Sequence, residues 1–133
     1  MKAMRSIAAV AIGYAVMVAG AWFGQESVFP GTEYGSPVLE LLTVGVLTSV
    51  LAGMGGVVTA ILAPSRPYLH LLPMALLISI ETVLLYVTDR VTGPLWFELL
   101  AGASLIAGTV IGAWVALQAR RRMTGNGGQT AAV

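Results

Sequence analysis

The sequence contains no cysteine. That excludes disulfides, thiolate metal centres and cysteine nucleophiles, although it says nothing of the redox compartment. There is one histidine, His70, so a cluster of imidazole ligands cannot form within one chain. Charge is scarce as well. Lys, Arg, Asp and Glu make up 10% of the 133 residues, where a water-soluble domain carries roughly 25%. The chain lacks the polar coat that a water-facing surface needs. Seven basic and six acidic residues leave a net charge of +1, and no basic stripe is present to suit a nucleic-acid partner. Catalytic signatures are missing: there is no G-x-S-x-G, no H-E-x-x-H and no phosphate loop. Gly53-Met54-Gly55-Gly56 lies inside an apolar run, where it serves helix packing. The chain is expected not to be an enzyme, and to hold neither metal nor cofactor.

What is present is apolar. Hydrophobic residues form 57% of the chain and gather in four blocks, at residues 6–23, 38–63, 68–88 and 95–118. A hydrocarbon core takes about 20 helical residues to cross, so each block is long enough to span it. The expected fold is all-α, a single domain over residues 1–123 built as a bundle of four transmembrane helices. The small, polar stretch 124–133 reads as a disordered tail. The connectors fit these bounds. Ser36-Pro37 opens the second helix with a capping residue and a proline at the first helical position, and Gly93-Pro94 opens the fourth in a similar way. Pro64-Ser65-Arg66-Pro67 forms a tight turn, because two prolines block a continuous helix. Pro73 falls early in the third helix, where it kinks the helix only slightly.

Orientation follows from the cations. Lys2, Arg5, Arg66, Arg120, Arg121 and Arg122 lie at the two termini and in the middle connector, while the other connectors hold Arg90 against Glu26, Glu33 and Asp89. The positive-inside rule then places both termini in the cytoplasm, most simply at a bacterial inner membrane. A competing feature is Lys2 and Arg5 before an apolar run ending in Ala19-Gly20-Ala21, which matches a signal peptide with its cleavage site. Trp22 and Phe23 extend that run as interfacial aromatics, which favours an uncleaved first span.

In lipid, apolar side chains gain nothing by leaving hydrocarbon for one another, so small residues mark close helix contacts. Such ridges occur at four-residue spacing. They are Ala11, Ala15 and Ala19 in the first helix, and Gly45, Ser49 and Gly53 with Ala52, Gly56 and Ala60 in the second. The fourth carries Ser104, Gly108, Gly112 and Ala116, and the Leu-rich third has none. The first, second and fourth helices are expected to pack tightly, with the third more peripheral. Two ridges on the second helix serve either two neighbours inside the bundle or one neighbour and a partner chain.

Glu81 is the most informative residue. The third block is centred near Ile78, so Glu81 lies about 4.5 Å beyond the midplane at ~1.5 Å per residue. A charge near the helix centre costs ~2.5–3.5 kcal/mol on insertion scales. Glu81 must therefore face the bundle or water, or carry a proton. Thr48, Ser49 and Ser104 fall near the same depth and Tyr14 slightly deeper, a set able to offer hydroxyls to the carboxyl. His70 stands eleven residues before Glu81, about three turns, so both point the same way along a stripe with Met74, Leu77 and Thr88. That stripe outlines a proton or cation route. The blander role for Glu81 is to hold helices in register, and for His70 to sit at headgroup level. Glu40 and Glu98, in the first turns of their helices, complement the helix dipoles.

Two functions follow as expectations. The first is a non-catalytic protein that works by helix docking, as an accessory subunit of a membrane complex or as a homo-oligomer, with the bilayer and other membrane subunits as its partners. The second is a small oligomeric proton- or cation-coupled transporter or channel that uses Glu81.

Overall fold

The computed structural model describes residues 2–91 and 93–126 and is all-helical. Helix α1 spans Lys2–Phe23 and continues as a π-helical turn over Gly24–Val28; α2 spans Val38–Leu62, α3 Pro67–Val87 and α4 Leu95–Asn126. Each has the length and hydropathy to cross a membrane. The chain is thus an integral membrane protein by this measure.

Local chemistry sets the helix ends. α3 begins on Pro67, whose missing N–H costs nothing in the first turn, after Arg66 has entered the left-handed region at φ 42°. It ends at Thr88, and Asp89 turns left-handed at φ 51°. α2 begins at Val38, where its apolar block begins, and one residue after the proline expected to open it. Pro37 is the capping residue, and the Ser36 hydroxyl instead accepts from the Glu33 N–H at 3.0 Å. α4 runs past Gln118 to Asn126, because nothing from Ala119 to Thr124 interrupts a helix. Residues 124–126, expected in a disordered tail, are therefore helical; residues 127–133 lie outside the described residues.

The helices alternate in direction. Gly13 of α1 faces Gly55 and Thr59 of α2, whereas Gly20 and Gly24 face Leu51. Rising numbers on α1 meet falling numbers on α2, so the pair is antiparallel. Ser49, Gly53 and Gly56 of α2 meet Gly108, Gly112 and Thr109 of α4, which makes that pair parallel. Two ends result. The near end carries the start of α1, the 63–66 turn and the end of α4; the far end carries residues 24–37, 88–91 and 93–94.

The centre is built from small residues with a few larger plugs. Ala60, Leu71, Met74 and Ala113 form one buried cluster, and Met17, Ala52 and Ile78 another. Tyr14 packs against both. At Gly56, Gly108 and Gly112 a Cβ atom would overlap backbone of the opposite helix, so the α2–α4 contact is backbone against backbone. Removing side chains here lets the helices approach and gain dispersion contacts that lipid cannot match. α3 is the least embedded helix. Its buried side chains are Leu71, Met74 and Ile78, all larger than the residues joining α2 to α4.

Candidate functional site: a carboxyl within the membrane-spanning bundle

Glu81 accepts a hydrogen bond from the Tyr14 hydroxyl, a link from α3 to α1 across 67 residues of sequence. Both side chains are half-buried. Tyr14 can reach because its ring is wedged between the two core clusters, which fixes the direction of its hydroxyl. On the far-end side of this link the two helices stay open to their surroundings. Val83, Leu84, Leu85, Tyr86 and Val87 of α3 are all exposed, and so are Val18, Ala19, Trp22 and Phe23 of α1. α3 there contacts α4 instead, through Thr82 against Gly102.

The charge environment is unusual in one respect. Across residues 6–23, 41–63, 71–88 and 99–118, Glu81 is the only Asp, Glu, Lys, Arg or His. No basic side chain within these stretches is available to neutralise it. Tyr14 supplies a hydrogen bond but no positive charge.

The other polar residues at this depth are not drawn to the carboxyl. Ser49 donates to the Gly45 carbonyl at 2.7 Å and Ser104 to the Ala101 carbonyl at 2.7 Å, each within its own helix. Thr48 is buried, with its hydroxyl oxygen lacking a hydrogen-bond partner, and it faces Gly24 at the start of the π-helical turn. His70 is held locally too: its Nδ1 lies 3.3 Å from the Arg66 carbonyl oxygen. Between it and Glu81 the stripe passes Met74, which is fully buried, and Leu77, which is exposed, so it is not a continuous polar lane. Of the six sequence candidates, the structure joins Glu81 to Tyr14 and leaves the rest apart.

The small-residue ridges divide similarly. Ser49, Gly53 and Gly56 meet Gly108 and Gly112 or their neighbours, Ala52 and Ala60 enter the buried clusters, and Ala116 packs beside Ala113. Gly45 has open space around it. Ala11, Ala15 and Ala19, expected to pack, are exposed; α1 is seated instead through Ala9, Gly13, Met17, Gly20 and Gly24. The reason is helical phase, since residues 13, 17, 20 and 24 follow the 3.5-residue repeat of a long seam while strict four-residue spacing drifts off it.

Gly55 and Thr59 complete the α1–α2 contact and were not legible as a ridge. The Thr59 hydroxyl lies 2.9 Å from the Gly55 carbonyl oxygen, 3.4 Å from that of Ala9 and 3.0 Å from the Met74 sulfur. Three helices meet at that one side chain.

At the far end Tyr34, Trp96 and Phe97 stack edge to face, with centroids 5.3–5.9 Å apart. Thr32 donates to Glu40 at 2.7 Å and ties the loop to α2. Aromatics suit a membrane–water boundary, where one edge is wet. Among the described residues, no group of three or more His, Cys, Asp or Glu converges as a metal site would require. No protein-family model matches this sequence, and comparison with curated proteins and with solved structures returns no similar chain.

Proposed function

We propose that this chain is a small non-catalytic membrane protein that binds a proton or monovalent cation at Glu81 and carries it across the bilayer. One observation carries the reading: a half-buried carboxyl within a membrane-spanning helix, bonded to Tyr14, with no basic side chain in residues 6–23, 41–63, 71–88 or 99–118. A lone carboxylate in hydrocarbon is costly, so neutrality must come from a bound proton or an external cation. Reversible binding of either is the elementary step of ion-coupled transport. The positive-inside rule puts the near end in the cytoplasm, and a bacterial inner membrane suits that arrangement. Glu26, Glu33 and Asp89 then make the outer face a weak collector of cations.

The test is flux. Purified protein reconstituted into liposomes holding a pH-sensitive dye should dissipate an imposed proton gradient. Glu81→Gln should reduce that rate to the level of protein-free liposomes while eluting from size-exclusion chromatography like the parent. Unchanged flux in Glu81→Gln would sink the proposal.

A second reading is docking, as an accessory subunit or a homo-oligomer. The observation favouring it is the Ala11, Ala15 and Ala19 face, which is exposed among the described residues. Apart from Gly45, the small residues of both α2 ridges are seated within the bundle, which favours the α1 face over α2 for docking. Native mass spectrometry of the protein drawn gently from its host would decide: stoichiometric foreign subunits favour docking over transport.

A further inference from the structure

We infer that the ion bound at Glu81 is a proton and no metal cation, and that the Tyr14 bond is kept whether the proton is present or gone. The inference rests on the proposal that Glu81 binds an ion, and it names which one. A metal cation entering hydrocarbon must exchange its hydration shell for a full set of protein oxygens. Membrane proteins supply these in large part from the carbonyls of broken or unwound helices. Here α1 is α-helical from Lys2 to Phe23, α2 from Val38 to Leu62, α3 from Pro67 to Val87 and α4 from Leu95 to Asn126. Their carbonyls near Glu81 are engaged within the helices. The two irregularities lie elsewhere. The π-helical turn starts at Gly24, about 15 Å along α1 from Tyr14 at ~1.5 Å per residue. Pro73, which leaves the Leu69 carbonyl without its N–H partner, stands about 12 Å before Glu81 on the same measure.

Side chains do not make up the set. Ser79 donates to the Ala75 carbonyl and Thr82 to the Ile78 carbonyl, each at 2.8 Å, so the hydroxyls flanking Glu81 lie along their own helix. Ser49 and Ser104 do the same on α2 and α4. Among the described residues, Tyr14 is the one side chain bonded to the carboxyl. One carboxyl and one phenol are too few for a metal cation, but a proton needs a single oxygen. Tyr14 also suits both states of the acid, because a phenol donates and accepts. Its O–H donates to the ionised carboxylate, and its oxygen accepts from the O–H of the protonated acid. Proton uptake thus reverses the bond without changing its partners, whereas a metal cation would compete with the phenol for the carboxylate. Little else bears on the titration. The facing stretches 41–63 of α2 and 99–118 of α4 contain no ionisable side chain, and residues 6–23 of α1 contain only Tyr14. On α3 the nearest such groups are Tyr86 toward the far end and His70 toward the near end.

Infrared difference spectroscopy of the full chain in lipid nanodiscs, stepped through pH, reads the protonated carboxyl by its C=O band. The series is recorded in sodium, potassium and N-methylglucamine chloride at equal ionic strength. Glu81→Gln should remove one titrating band and so assign it. Should that variant not fold, Glu81→Asp, which keeps the acid, assigns the band by displacing it. The midpoint of that band should be the same in all three salts. A metal cation competing tenfold at the concentration used would move it by about one pH unit, and such a move in sodium or potassium would overturn the inference. So would the lack of any titrating band from Glu81. Tyr14→Phe should displace both the C=O band at low pH and the carboxylate band at high pH, since the bond is present in both states. Displacement of one band alone, or of neither, overturns the shared bond. The two ideas fail separately. A salt-dependent midpoint leaves Glu81 as the site of a cation carrier, whereas unchanged flux in Glu81→Gln ends the carrier proposal and leaves a proton-selective carboxyl.

Discussion

Tyr14 and Glu81 meet because one residue supplies an acid that the bilayer will not tolerate alone and the other a rigid arm that reaches it. Tyr14→Phe keeps the ring between the core clusters and removes only the hydroxyl. The unpaired carboxyl should then cost ~1–3 kcal/mol, read as a lower thermal midpoint in detergent at fixed pH. Glu81→Gln retains an acceptor for the same hydroxyl and should cost less. In a double-mutant cycle the two changes should be non-additive; strict additivity would mean that the bond contributes nothing. The acid was legible from its position in an apolar block, and Tyr14 from its depth. Ser49 and Ser104 were not separable from it by depth. A hydroxyl in a membrane helix satisfies itself on a carbonyl three or four residues back, which sequence position alone does not reveal.

The helix pairs were legible in part, and the limit was phase. Gly56, Gly108 and Gly112 mark the α2–α4 contact because nothing larger fits between the backbones, and Gly53 is tightly seated beside them. Gly112→Ala should therefore separate the pair and destabilise the bundle by ~1–3 kcal/mol, measured by thermal unfolding in detergent. Gly45→Ala, with open space at its Cβ, should leave stability unchanged or raise it. Equal effects of the two would contradict the packing described. Sequence spacing made each glycine a member of a small-residue ridge, and only the third dimension tells the seated one from the bare one. The C-terminus of α3 offers a third change. Asp89 holds a left-handed conformation that glycine adopts without strain, so Asp89→Gly should raise the thermal midpoint, by about 1 kcal/mol in stability. Neither this turn nor the π-helical widening at Gly24–Val28 has a clear signal in the sequence.

At the scale of the molecule, composition alone was nearly enough. Low charge, long apolar blocks and prolines between them lead to four spans, and the chain folds into four such helices. Orientation depends on the basic residues, and the absence of native cysteine makes it easy to check. With Ser65→Cys as the lone thiol, a membrane-impermeant maleimide should fail to label intact cells. With Glu33→Cys it should label them. The reverse pattern would invert the proposed topology and place the acidic face inside.

The parallel pairing of α2 with α4 has a consequence for how the chain is made. The α1–α2 hairpin is available as soon as its two helices have left the ribosome, but the tightest contact joins helices that are not neighbours in sequence. It closes last, when α4 arrives. In the interval α3 must enter the bilayer carrying Glu81, and by then Tyr14 is already in place on the finished hairpin to receive it. The order of synthesis thus presents the acceptor's partner before the acceptor, so that the most lipid-averse side chain need not wait alone.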